Sequence, residues 1–194
     1  MSQINQKISD DLAIQRCLDG ENEAFGELVC HYQDRLFHAL VHAFGDRTEA
    51  EDVVQEAFVQ AFIKLSSFRR DSSFYTWLYR IAFNTSISRK RRKRPALSVD
   101  QTRETMGDEP IDQGEGPEHQ LQRRERADEV REALERVSEE HRTILVLREM
   151  EDMDYESISE ILDLPIGTVR SRLHRARSQL KVELEKVEMT NPKQ

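Results

Sequence analysis

The sequence predicts an all-α protein: two small helical domains joined by a flexible linker. Three observations carry that expectation. Glycine and proline are sparse, at 7 and 5 in 194 residues. Hydrophobic residues (37%) and charged residues (34%) recur at helical spacing, and no alternating strand pattern stands out. Between residues 95 and 117 the apolar period lapses, and three of the glycines and three of the prolines collect there. That composition reads as a linker. The expected division is therefore 1–94, 95–117 and 118–194, with each flanking unit long enough to bury a core.

Charge follows the same division. The formal net charge is -8, which argues against a protein that coats DNA non-specifically, because such binding is mostly neutralisation of phosphate by Lys and Arg. Position matters more than the sum. Residues 89–94 read RKRRKR, the 24 residues after them hold seven acidic residues and one arginine, and Arg170, Arg172, Arg175 and Arg177 crowd one short segment. The longest apolar stretches, such as 144–147, fall far below the roughly 18 residues of a membrane span, so no membrane insertion is expected. Cys17 and Cys30 fall in separate helical patterns, without a CxxC or a Cys/His cluster, and no leader pattern precedes them. A reduced cytoplasmic setting follows, with both thiols read as buried and structural rather than redox-active.

In the first unit, Ser9 is placed to cap a short helix over 10–19 that Gly20 ends. A longer helix follows Asn22, with Phe25, Leu28, Val29, Tyr32, Leu36, Leu40 and Phe44 on one face and Gly45 at its stop. Thr48 and Glu51 then have capping-box spacing. The helix they open carries an inward stripe of Ala50, Val53, Val54, Ala57, Phe58, Ala61, Phe62 and Leu65. Its opposite face presents Asp52, Gln55, Glu56, Val59 and Ile63. Two β-branched residues one turn apart on a polar face suit a docking surface for a partner helix, although exposed Val and Ile also occur as ordinary surface.

The last helix of this unit follows SFRRDSSF, with Asp71 or Ser72 as cap. Phe74, Trp77, Leu78, Ile81 and Thr85 are expected inside; Thr76, Tyr79, Arg80, Phe83, Asn84 and Ile87 are expected outside. The helix runs into the basic run containing Arg89, Arg91 and Arg92. Aromatic rings beside cations suit single-stranded nucleic acid, since rings stack on bases for about 1 to 3 kcal/mol each and cations hold the backbone.

Two helical patterns separated by Asp163, Leu164 and Pro165 make up YESISEILDLPIGTVRSRLHRAR. Ile158, Ile161 and Leu162 face inward from the first. Asp163 tolerates the left-handed backbone of a tight turn, and Pro165 cannot continue the first helix. Thr168 is expected to cap the second, whose inward stripe is Val169, Leu173, Ala176 and Leu180. This is a helix-turn-helix layout. Outward lie Arg170, Ser171, His174, Arg175, Ser178 and Lys181, and arginine can pair bidentately with a guanine edge in the major groove.

Together AEDVVQEAFVQAF, FRRDSSFYTWLYRIAFN with its basic run, and LREMEDMDYESISEILDLPIGTVRSRLHRAR resemble the extracytoplasmic-function sigma factors of the sigma-70 family. The resemblance implies a region 2 helical bundle, a region 4 helix-turn-helix, no catalytic site, no metal and no cofactor. It implies that Asp52, Gln55, Glu56 and Val59 dock on the clamp coiled coil of bacterial core RNA polymerase. It implies that the loop of Phe68, Arg69, Arg70, Asp71, Ser72 and Ser73 receives a base flipped from the promoter −10 element, beside Arg80, Phe83 and Asn84. Arg170, Ser171, His174 and Arg175 match contacts to the −35 element, with Arg148 and Thr168 on phosphates. An anti-sigma factor is the implied regulator.

Three positions depart from the family pattern. Ser88 stands where many members carry an acidic residue, which leaves the −10 preference open. Ser159 stands for a usual Ala and Asp163 for a frequent Gly, and both suit the turn. A stand-alone helix-turn-helix regulator is the alternative, but it needs a dimer interface or a sensing domain, and neither is evident. No phosphate-binding glycine loop, metal-ligand spacing or activated nucleophile supports an enzyme.

Overall fold

The computed structural model describes the backbone of residues 2–93 and 117–190 and the side chains of 9–92 and 126–190. The expected linker lies outside the described residues as far as 116, and Pro117 already opens a helix. Among the described residues eight α-helices follow in order: α1 (Ser2–Leu18), α2 (Ala24–Phe44), α3 (Arg47–Lys64), α4 (Phe74–Lys93), α5 (Pro117–Arg136), α6 (Glu139–Leu145), α7 (Tyr155–Leu162) and α8 (Ile166–Thr190). A 3₁₀ turn over Leu65–Ser67 closes α3, and a π-helical turn over Val146–Met150 extends α6. Among the described residues there is no strand.

Local chemistry sets the helix ends, and in four places it differs from the sequence expectation. α1 starts near Ser2, so Ser9 lies inside the helix rather than at its cap; Gly20, at φ 107°, turns the chain after it. The cap of α3 is Asp46, whose carboxylate accepts from the Glu49 amide at 2.9 Å, so the capping pair lies two residues before Thr48 and Glu51. The cap of α4 is Ser73, whose hydroxyl accepts from the Thr76 amide at 3.0 Å, displacing Asp71 and Ser72 from that role. Thr168 lies within the first turn of α8, where its amide and that of Val169 both donate to the Pro165 carbonyl. Gly45 ends α2 in the left-handed conformation, φ 74°, as expected.

The turn of the helix-turn-helix forms as the residues dictate. Asp163 takes φ 52° and ψ 50°, and the Leu164 amide donates to the Ser159 carbonyl. The Ser159 hydroxyl donates to the Leu164 carbonyl, so a serine where alanine is usual ties the turn to α7. Asp154 caps α7 by accepting from the Ser157 amide at 2.8 Å, a cap the sequence reading missed although the D-x-x-S spacing was present.

The core of the first half follows the predicted stripes. Leu28, Tyr32, Leu36, Leu40, Val53, Ala57, Ala61 and Leu78 are buried, and Trp77 and Ile81 pack against them partly exposed. Phe62 departs from its stripe: it is 41% exposed, though its ring meets Phe25 edge-on at 5.2 Å. In the second half Ile144, Leu147, Ile158, Ile161, Val169, Leu173 and Ala176 are buried. The buried residues of both halves form one continuous cluster, because α2 packs on α6 and α4 packs on α7 as well as on α3.

That packing overturns two expectations on α4. Thr76 and Tyr79, expected outside, are buried, Tyr79 completely. A second stripe, Tyr75, Tyr79, Ala82 and Ser86, is covered one residue round from the first. An amphipathic pattern cannot reveal a second partner helix supplied from more than sixty residues away. The thiols also divide: Cys17 is buried, and burial raises its pKa, whereas Cys30 is exposed, against expectation.

Candidate nucleic-acid interface

On α3, Asp52, Gln55, Val59 and Ile63 are exposed and Glu56 is half-buried; Val59 is 58% and Ile63 66% exposed. Arg89, expected beside the −10 strand, pairs with Asp52 and Glu56 of this face, the latter at 3.3 Å. The structure thus joins two groups that the sequence reading kept separate. Arg91 and Arg92 remain exposed, without a carboxylate partner among the described residues.

The loop before α4 is pinned at both ends. Phe68 packs into the aromatic cluster, 5.1 Å from Trp77 and 5.9 Å from Phe74 between ring centroids. Ser73 holds the helix cap. Between them Arg70 takes a left-handed backbone, φ 60°, and its guanidinium donates to the Gln15 side chain at 3.2 Å, with Asp11 at 3.7 Å. Arg69 pairs with Asp71 at 3.1 Å; Arg69 and Asp71 are exposed and Ser72 is half-buried. On α4, Arg80 and Asn84 are exposed and Phe83 is half-buried. Tyr79 is buried. Burial and the nearby Glu151 charge raise its hydroxyl pKa well above the usual tyrosine value.

On α8 the four arginines separate by pairing. Arg177 meets Glu149 at 2.6 Å and Arg172 lies 3.5 Å from Glu140, so both are neutralised within the fold. Arg170 and Arg175 are exposed and have no carboxylate partner among the described residues. Ser171, His174 and Ser178 lie exposed on the same side, and Thr168 is half-buried at the helix start. Ser171 and Ser178 donate to the carbonyls of Thr168 and His174, leaving their oxygens able to accept.

Arg148 is tied down. Its guanidinium donates to the Met153 carbonyl at 2.7 Å and lies 5.5 Å from the Tyr155 ring centre, with Arg170 at 5.7 Å from the same ring. One tyrosine therefore braces two predicted DNA contacts. No sequence signal singled out Tyr155 for this role. Its place at the first turn of α7, seven residues after Arg148, is the only hint.

An exposed arginine-bearing second helix in a helix-turn-helix, tied to a bundle with a cationic, loop-flanked helix, defines a two-part DNA-binding protein. The family patterns described as "Sigma-70 region 2" and "Sigma-70, region 4" match residues 28–95 and 127–180. The chain is 40% identical to the RNA polymerase sigma-H factor of Pseudomonas aeruginosa, over 88% of this chain and 91% of that one. It is 36% identical to the ECF RNA polymerase sigma-E factor of Escherichia coli K12, over 91% and 95%. Among solved structures it is similar to CnrH in complex with the cytosolic domain of CnrY, at TM-score 0.61 and 26% identity, covering 92% of this chain and 98% of that one. The fold also matches the sigma factor RpoE crystallised with the anti-sigma factor NepR from Bartonella quintana, at TM-score 0.65 and 24% identity, covering 84% and 98%. The chain belongs to the extracytoplasmic-function sigma factors of the sigma-70 family, and is a promoter-directing transcription initiation factor.

Proposed function

We propose that this chain joins bacterial core RNA polymerase in the cytoplasm and divides promoter reading between two units, 1–94 and 118–194, joined by 95–117. The observation that carries the reading is the partition of cations on α8. Arg172 and Arg177 are neutralised by carboxylates, while Arg170 and Arg175, at the reading positions, are held exposed. Such a pattern serves an external anion and a base edge, not the fold. Arg170, Ser171, His174, Arg175 and Ser178 then read −35 duplex, with Thr168 at the helix start and Arg148 setting the position of Arg170 through Tyr155.

The exposed Val59 and Ile63, ringed by Asp52, Gln55 and Glu56, dock on a polymerase helix; Arg89 orients the two carboxylates. The loop from Phe68 to Ser73, with Arg80, Phe83, Asn84, Arg91 and Arg92 beside it, takes up the melted −10 strand. Unstacking a base costs a few kcal/mol, and a pocket recovers part of that only after the base has left the stack. The protein therefore captures the open form and catalyses no bond-making. An anti-sigma factor covering both units is the expected regulator; the similar sigma factor RpoE is crystallised in complex with the anti-sigma factor NepR.

The test is run-off transcription with purified core polymerase on promoters mapped after overexpression. Specific transcripts are expected with the full chain. Val59→Glu should abolish binding to core polymerase, and Arg170→Ala with Arg175→Ala should retain that binding but lose promoter-specific transcripts. Promoter binding by the free chain as tight as that of the holoenzyme at physiological salt would favour the stand-alone regulator instead.

A further inference from the structure

We propose that α1 is the positioning element of the loop before α4: Asp11 and Gln15 hold Arg70 in its left-handed backbone and so fix where Arg69, Asp71 and Ser72 meet the unpaired −10 strand. The proposal rests on the sigma reading above. It adds a control seated outside both matched family patterns, since α1 ends at Leu18 and the region 2 pattern begins at 28. Arg70 takes φ 60°, a conformation that glycine, asparagine and aspartate tolerate and that strains an arginine. Its side chain supplies the compensation. The guanidinium donates to the Gln15 side-chain oxygen at 3.2 Å and lies 3.7 Å from the Asp11 carboxylate.

Residues four apart lie on one side of a helix, so Asp11 and Gln15 present their oxygens together. Asp19, a further turn on, accepts from the Gln15 amide nitrogen at 3.0 Å, which leaves the amide oxygen for Arg70. The helix that carries them is itself fastened. Ala13, Ile14 and Cys17 are buried, the Tyr32 hydroxyl donates to the buried Asp10 carboxylate, and Arg16 pairs with Glu27 of α2 at 2.7 Å. α1 also packs on the 3₁₀ turn that leads into the loop. Each contact to Arg70 is partly exposed and weak alone, but a fixed helix holds both in register.

The loop is otherwise fixed only near its ends, by Phe68 in the aromatic cluster and by Ser73 at the α4 cap. Arg70 lies between these anchors. With Arg70 left-handed, its neighbours Arg69 and Asp71 pair at 3.1 Å and remain open to solvent, their side chains 84% and 70% exposed. The loop thereby sorts its charges: Arg70 is committed to α1, and the Arg69–Asp71 pair faces outward with Ser72 next in the chain. An ordinary extended or right-handed backbone at Arg70 would redirect the residues on both sides of it. The Arg70 cation therefore serves the shape of the loop and not a phosphate.

Two measurements on full-length variants test this. Trp77, the one tryptophan in the sequence, packs on Phe68, so its quenching by acrylamide reports the loop in the free chain. Capture of a single-stranded −10 oligonucleotide by the reconstituted holoenzyme reports its use. Asp11→Ala and Gln15→Ala should each raise Trp77 quenching and weaken −10 capture by about fivefold, with −35 duplex binding unchanged. Arg70→Ala, which loses the anchor and keeps the strain, should weaken capture by about tenfold. Arg70→Asn, which tolerates the left-handed backbone, should bind several-fold better than Arg70→Ala, and Gln15→Ala added to it should have no further effect. Both Arg70 variants lack the cation, so a phosphate contact would make them equally weak and lower the salt slope alike. Unchanged quenching in Asp11→Ala and Gln15→Ala, unchanged capture where the wild type captures, or equal losses in Arg70→Ala and Arg70→Asn overturn the proposal. Quenching needs no polymerase, so a loop loosened by Gln15→Ala in a protein whose holoenzyme captures no −10 strand would remove the promoter reading and leave the hold of α1 on the loop standing.

Discussion

The two halves of the molecule bury different chemistry. In α1–α4 the core is aromatic: Phe25 meets Phe58 and Phe74 edge-on at 6.4 and 6.5 Å, Tyr32 stacks on Tyr75 at 5.4 Å, and Phe68 closes on Trp77. In the described part of α5–α8 the core is aliphatic, and Tyr155 is the sole phenylalanine, tyrosine or tryptophan, placed against Arg148 and Arg170 rather than against another ring. Large rings give the first half a stiff platform on which α3 and the α4 loop hold fixed positions. The second half relies on caps and ion pairs to aim one short helix pair. The first should fail through its packing and the second through its polar bracing.

The sharpest break is made in the platform. Leu78 is fully buried in the core, so Leu78→Ala is expected to destabilise the first half by about 3 to 5 kcal/mol in a chemical denaturation series. Tyr155→Ala is the counterpart. It leaves the buried aliphatic core in place, so it should cost far less global stability, yet weaken −35 duplex binding by about 1 kcal/mol as both guanidiniums lose their ring. If Tyr155→Ala unfolded the chain as readily as Leu78→Ala, the contrast between packing and bracing would fall.

A finer division exists within α8. In holoenzyme titrations of a −35 duplex, Arg170→Ala and Arg175→Ala should each cost about 1 to 3 kcal/mol and depend on the base sequence. Arg172→Ala and Arg177→Ala remove cations already paired at the surface and should cost under about 1 kcal/mol. The salt dependence separates the cases further, since losing a phosphate contact lowers the slope by about one unit while losing an internal pair does not. Equal effects at all four arginines would mean that the pairing seen in the fold has no bearing on recognition.

Much of this was legible in the sequence because it is local or periodic. The inward stripes of α2 and α3, the left-handed Asp163 and the outward Arg170, Ser171, His174 and Arg175 all follow from 3.6-residue spacing and turn chemistry. Helix starts were read one to two residues away, at Thr48 and at Asp71 or Ser72, because several oxygen-bearing side chains in a row compete for one cap. Tyr79 was expected outside because no local pattern announces that α4 packs on α7 as well as on α3. Arg89 was read as a DNA contact from its place in a basic run. Its commitment to Asp52 and Glu56 depends on α3 and α4 lying side by side, which periodicity suggests but does not register.

The smallest effect expected is at the two aspartate caps, and it returns to the difference between the halves. Asp46 caps the 18-residue α3, which is held along its length by packing, whereas Asp154 caps α7, only 8 residues long. A short helix has few hydrogen bonds to share the loss of one, so the same substitution should be felt more in α7. Asp154→Ala is expected to cost about 1 kcal/mol or less, because the group is largely exposed and screened, and to weaken −35 binding measurably. Asp46→Ala should leave that binding unchanged. Hydrogen bonds from Ser157 hold the Asp154 pKa below its ordinary value, with the Arg148 charge adding to them. A depressed carboxylate stabilises the fold above its unfolded pKa, near 3.9, and the contribution is lost as pH falls through the folded value. Asp154→Asn, which keeps a capping oxygen without the charge, should therefore retain most of the stability at neutral pH while flattening its decline below about pH 4. An acid profile for Asp154→Asn as steep as that of the wild type would show that the cap does not contribute to the acid sensitivity of the second half.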